Sequence, residues 1–197
     1  LAFTMAAAMT LSLAACGGSS SSGSNTSADG SGSAAFKLGG TGPLTGDASI
    51  YGLAAQRGAQ IAVDEINAEG GAIQFELKYE DDVNDPEKAV NAYNALKEWG
   101  MQISLGSVTT QPGIATSSYN FADSIFALTP SASSPDVISG KDNVYQMCFS
   151  DPNQGTASAK YISEQKLGEK VFIIWKSDDN YSTGIKDKFV AEAKTLG

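Results

Sequence analysis

Two clusters of small hydroxyl residues are the groups in this chain best suited to meet a ligand. Gly106-Ser107-Val108-Thr109-Thr110 follows the short apolar run Ile103-Ser104-Leu105. Thr129-Pro130-Ser131-Ala132-Ser133-Ser134-Pro135 follows Ile125-Phe126-Ala127-Leu128. Hydroxyls donate and accept hydrogen bonds without carrying charge, so two such loops suit reversible capture of a small polar or zwitterionic molecule. Covalent chemistry needs more. The chain has no histidine, the usual general base and commonest metal ligand, and it shows neither a nucleophile elbow nor a cofactor loop. Ser and Thr also cap helices and fill turns, but two consecutive loops of one character weigh against that plain reading.

The remaining candidates point the same way. Cys16 and Cys148 lie far apart with no ligand spacing, so neither a zinc site nor a disulfide is expected in the folded part. Cys148, inside an apolar run at 144–149, reads as a buried, inert thiol. The acidic run 80–85 lacks the glycine and terminal glutamate of a calcium loop. It reads as a solvated turn, with Asp85 capping the next helix and Pro86 at its first position. Gly40, Gly42 and Gly46 are spaced G-x-G-x-x-x-G, not as a dinucleotide fingerprint, and Pro43 removes an N–H that a pyrophosphate would use. No metal and no cofactor are expected. Net charge is -9, from 13 Lys and Arg against 22 Asp and Glu, which argues against nucleic acid.

The hydroxyl clusters need elements to hold them. An apolar run that ends in Gly or Pro reads as a buried parallel strand leaving its sheet. Both clusters therefore fall at strand carboxyl ends, the edge where open α/β sheets bind ligands. Around them the pattern gives a strand at 36–40 and a helix from 50 to about 67 with Leu53, Ala54, Ile61, Ala62 and Ile66 as its apolar stripe. A strand at 73–79 and a helix from 87 to about 99, with Val90, Tyr93 and Leu96 on one face, come next, and a helix at 111–122 lies between the two clusters. This is a parallel, doubly wound sheet with right-handed crossovers.

Beyond Pro135 the pattern restarts: a strand at 144–149, a helix capped by Asp151 with Pro152 in its first turn, an apolar strand at 171–175, a loop to Tyr181 and another helix. A second α/β lobe begins and breaks off at Gly197. The expected organisation is a first lobe at 36–143, a crossover or hinge at 144–151 and the start of the second lobe at 152–197.

Ahead of the lobes, residues 1–15 form an alanine-rich apolar segment, too short to span a bilayer, that reads as a signal peptide incomplete at its start. Leu13-Ala14-Ala15-Cys16-Gly17 resembles a bacterial lipobox, which implies lipidation of Cys16 and export. Residues 16–35 are almost wholly small and polar and read as a flexible tether.

Taken together, Gly42-Pro43-Leu44-Thr45-Gly46, Tyr51-Gly52, Asp64-Glu65-Ile66-Asn67 with Gly70-Gly71, and Asp81-Asp82 to Asp85-Pro86 form a recognisable series. The two hydroxyl loops, Asp151-Pro152 to Gln154-Gly155, and Asp178 to Tyr181 continue it. The chain resembles the amino-terminal part of the branched-chain amino acid ABC transporter solute-binding proteins, the leucine/isoleucine/valine-binding type. The resemblance implies a two-lobed type I periplasmic binding protein fold, each lobe a doubly wound, mostly parallel sheet. It implies that Val108, Thr109 and Thr110 meet a ligand carboxylate, that Ser131, Ser133 and the backbone of Ala132 meet its ammonium, and that Tyr51 and Tyr181 close over it from the two lobes.

The implied function is an extracytoplasmic lipoprotein, no enzyme. It would capture a small amino acid, branched-chain or otherwise aliphatic, and hand it to ABC permease subunits as a monomer held at the outer face of the bacterial membrane, or in the periplasm. The alternative is a sensing domain of the same fold that binds an amide, urea or amino acid.

Overall fold

The computed structural model describes residues 35–197. The leader 1–15, Cys16 and the tether lie outside them, save Ala35, which opens β1 (Ala35–Gly42). The elements that follow are α1 (Ser49–Ala68), β2 (Gln74–Asp81), α2 (Pro86–Trp99), β3 (Ile103–Ser107), α3 (Thr110–Ala122), β4 (Phe126–Thr129), a 3-10 turn at Pro135–Val137, β5 (Val144–Gln146), α4 (Asp151–Glu164) and α5 (Asn180–Leu196).

Five parallel strands stand in the order β2-β1-β3-β4-β5. The step from β1 to β2 runs one way across the sheet and every later step the other. Right-handed crossovers therefore put α1 on one face and α2 and α3 on the opposite one, where α2 and α3 pack together. The strands alternate accordingly. Ser104, Ala127, Thr129 and Val144 are buried beneath α3, while Phe126 and Tyr145 on the other face are about half exposed. Two apolar clusters fill the α2/α3 side: Ala127, Ala132, Val137 and Val144, and Tyr93, Leu96 and Met101.

Local chemistry explains the helix ends. Asp85 accepts hydrogen bonds from the N–H groups of Glu87 and Lys88, Pro86 occupies the first turn, and Gly100 stops α2 with a φ of 94°, as side-chain caps and left-handed glycines do.

Five expectations are corrected. The stripe Leu53, Ala54, Ile61, Ala62, Ile66 does not face the core. α1 buries Gly52 and Val63 instead, because Gly52 seats the helix where a Cβ would lie 2.1 Å from the Pro43 carbonyl oxygen; that close approach sets the helix rotation and leaves Ile61 and Ile66 outward. The acidic run turns in solvent at Val83 and Asn84, but Asp82 within it is fully buried. Asp81 accepts from the N–H groups of Leu44 and Val83 and from the Thr45 hydroxyl, bracing the loop after β1. Asp151 does not cap α4: the cap is Ser150, and neither Asp151 carboxylate oxygen has a hydrogen-bond partner among the described residues.

The fourth correction concerns 171–175. It forms no strand, since it pairs with no other strand among the described residues, and Phe172 and Ile174 are 87% and 86% exposed. A strand exists by its ladder to a neighbour. β5, expected to reach Phe149, ends at Gln146 and adds to the same sheet as β4.

Candidate functional site

The first hydroxyl loop leaves β3 at Gly106, whose φ of 65° and close approach to Thr129 (3.0 Å from an added Cβ) leave no room for a side chain. Ser107 then turns inward. Its hydroxyl lies 2.5 Å from that of Thr41 and 2.9 Å from that of Thr116, which donates to the Pro112 carbonyl. The Val108 N–H donates to the Thr41 carbonyl. With the loop held from behind, Val108, Thr109 and Thr110 face forward. Thr109 is the first residue outside α3, and its buried hydroxyl makes no hydrogen bond among the described residues. The first N–H groups of α3 have no intrahelical acceptor and carry partial positive charge.

Beside it, the second loop is organised by Thr129. This buried hydroxyl donates to the Ser107 carbonyl at 2.6 Å and accepts from the Ala132 N–H at 3.0 Å. The Ala132 carbonyl accepts from Gln146, so the polar backbone groups of Ala132 are engaged within the protein. Ser131 is exposed, while Ser133 is only 3% exposed.

A cavity of about 450 Å³ brings seven of the eight expected residues together: Tyr51, Val108, Thr109, Thr110, Ser131, Ser133 and Tyr181. Ala132 sits behind the wall, fully buried. Tyr51 and Tyr181 stand at the rim, 64% and 43% exposed. Burial, and then the charge of Asp151, pushes the Tyr181 phenol up, so it stays a neutral donor.

Sequence reasoning missed eight lining residues: Ala48, Asn84, Gln111, Cys148, Phe149, Gln154, Lys176 and Asp179. Ala48 and Asn84 follow β1 and β2, and the strand-end rule that selected the hydroxyl loops applies to them too. Cys148 is a correction, because it is half-buried and lines the cavity, with burial pushing its thiol up. Lys176 and Asp179 come from the loop before α5, where Asp179 caps the helix through the Ser182 N–H. Gln111 reaches the same loop, donating to the Asp178 carbonyl at 3.0 Å.

Asp151 lies just behind Ser133, its N–H donating to the Ser133 carbonyl at 3.1 Å. Burial pushes its carboxyl up, and the Ser133 hydroxyl opposes part of that shift without a hydrogen bond of ordinary geometry.

Comparison with known proteins places this architecture. Residues 35–197 match the family described as periplasmic binding protein. The Leu/Ile/Val-binding protein BraC3 of Rhizobium johnstonii is 33% identical over 158 residues, which cover 79% of this chain and 43% of that protein. Among solved structures, the branched-chain amino acid transporter substrate-binding protein LivJ of Streptococcus pneumoniae, in complex with isoleucine, matches at a TM-score of 0.77 and 28% identity, over 82% of this chain and 47% of that one. The leucine-binding protein LivK of Thermotoga maritima matches at 0.76 and 25% identity, over 82% and 46%. The chain thus spans less than half the length of these relatives. With a family match across every described residue and a parallel sheet of the same build, this chain belongs to the periplasmic binding protein family, with the leucine/isoleucine/valine-binding proteins among its relatives.

Proposed function

We propose that this chain is the amino-terminal part of an extracytoplasmic solute-binding lipoprotein that captures a small aliphatic amino acid, branched-chain by preference, and delivers it to an ABC permease. One observation carries the reading: two neutral hydroxyl loops on adjacent strand ends line one cavity, with a tyrosine from each side at its rim. The start of α3 suits a carboxylate, by its free N–H groups and the hydroxyls of Thr109 and Thr110. Ser131 and Ser133 suit an ammonium. A cavity of this volume falls in the range of small-molecule sites, and the relatives are named for the same ligand class.

In this reading, residues 36–143 form the first lobe, 144–151 the crossover and 152–197 the start of the second, and ligand contacts with both lobes favour a closed state that the permease reads. Cys16 carries the lipid anchor; a protein made with its full leader should take up palmitate, and Cys16→Ala should not. Isothermal titration of the complete protein against leucine, isoleucine and valine tests the function. Absence of heat with all three, alongside binding of a non-amino-acid solute, would overturn it.

A further inference from the structure

The loop that presents Ser131 and Ser133 has every carbonyl from 132 to 134 held by the segment that leaves the sheet after it. The Gln146 Nε2 donates to the Ala132 carbonyl at 2.6 Å and to the Ser134 carbonyl at 2.7 Å. Between these two, the Ser133 carbonyl accepts from the Asp151 N–H at 3.1 Å. Two carbonyls at such distances need the nitrogen end of the amide, and a primary amide has two N–H groups to give. Both are used here, one on each side of Ser133.

We infer that Gln146 is a positioning residue for ligand capture: its amide clamps the backbone on both sides of Ser133 and so fixes the direction in which that hydroxyl meets the ligand. Gln146 does not itself line the cavity, so it acts through the loop. Its location gives the clamp a second consequence. It is the last residue of β5 and stands five residues before Asp151, the start of α4. The ligand loop is therefore tied at three successive carbonyls to the strand and helix start that carry the chain out of the sheet. A shift of that segment moves Ser133 with it.

Sequence reading passed over Gln146 because a lone glutamine at a strand end has no motif. The register reveals it: Gln146 is the Cα partner of Thr129, and partners in parallel strands point to the same face. The two side chains reach one loop together, Thr129 from beneath through the Ala132 N–H and Gln146 from the side through the carbonyls.

The proposal rests on the site reading above, and the test separates the two. In the complete protein without ligand, amide exchange is compared between wild type, Gln146→Leu and the isosteric, non-donating Gln146→Glu. We expect the Ser131, Ala132 and Asp151 amides to exchange at least tenfold faster in both variants, with the Met101 amide, which donates to Leu96 in the other apolar cluster, unchanged as a control for global loosening. Unchanged exchange in the loop overturns the clamp, whatever the protein binds.

Leucine titration then forms a double-mutant cycle with Ser133→Ala. Gln146→Leu should weaken leucine binding about tenfold in the wild-type background and less than threefold once Ser133→Ala is present, because its effect passes through that hydroxyl. Equal losses in both backgrounds overturn the positioning role. A Ser133→Ala variant with wild-type affinity would instead sink the assignment of Ser133 as a ligand group, and the exchange result still decides the clamp.

Discussion

Thr129 and Gln146 end two neighbouring parallel strands as register partners, and their side chains hold the same loop from two directions. Thr129 also reaches the other hydroxyl loop through the Ser107 carbonyl, so one buried hydroxyl sets the spacing between the two halves of the cavity. Thr129→Val keeps the shape and removes all three bonds of that hydroxyl, the third being a long one from the Ser131 N–H. It should cost about 1 to 3 kcal/mol of stability, the usual penalty for stranding a buried carbonyl and N–H, and weaken ligand binding roughly tenfold or more. Thr129→Ser should restore most of both. Denaturant unfolding and titration of the three proteins side by side check this; a Val variant with wild-type affinity would show that the loops are spaced by something else.

Thr109 invites a test in which stability and binding move in opposite directions. Its hydroxyl is buried and unpartnered among the described residues, so the free protein gains nothing from it. Thr109→Val should leave stability unchanged or raise it by about 1 kcal/mol, since a desolvated orphan is removed. Affinity should nevertheless fall about tenfold, because the bound carboxylate loses a donor. Equal affinity would mean that the hydroxyl faces no ligand atom.

Asp82 makes stability depend on pH. Burial pushes its carboxyl from 3.8 up to about 6, against the N–H of Asn84 and the Thr41 hydroxyl and with help from the charges of Asp81 and Asp85. A carboxyl that holds its proton more tightly folded than unfolded lowers stability as pH rises from about 4 to about 6, and the penalty then levels off. After solvent screening it amounts to about 2 kcal/mol. Asp82→Asn should therefore raise the melting temperature by roughly 4 to 8 °C at pH 7.5 and leave it unchanged at pH 4. A variant less stable than wild type at pH 7.5 would refute this account.

The segment at 171–175 makes no sheet pairing among the described residues and exposes Phe172 and Ile174. Local opening follows from unpaired backbone and scarce apolar contacts. In the 197-residue polypeptide its amides should exchange orders of magnitude faster than those of Ile103–Ser107, which pairs on both sides. Matching protection would place a partner on that segment. An unpaired apolar edge also favours self-association, so light scattering should rise with concentration and fall with Phe172→Lys.

Much of the fold was legible because it is written in local terms. Asp85, Pro86 and Gly100 specify the ends of α2 by capping chemistry alone, and apolar runs ended by Gly or Pro mark β3 and β4 whatever surrounds them. The hydroxyl loops followed from the same logic, since the carboxyl edge of a parallel sheet is fixed once strand order alternates with helices. Packing decided the rest. The apolar residues of α1 predicted the wrong face because a single glycine, pressed against Pro43, outweighed a stripe of larger side chains. Asp82, hydrophilic by type, is buried because it directly follows β2 and is tied to the end of β1, its N–H donating to the Gly42 carbonyl beside the braced loop. The segment at 171–175 has every local mark of a strand but no ladder partner among the described residues, for a ladder needs a neighbour that local sequence cannot supply. Cys148, Lys176 and Gln146 belong to the site through proximity and register, relations between residues distant in sequence; periodicity, which compares each residue only with its near neighbours in the chain, carries no trace of them.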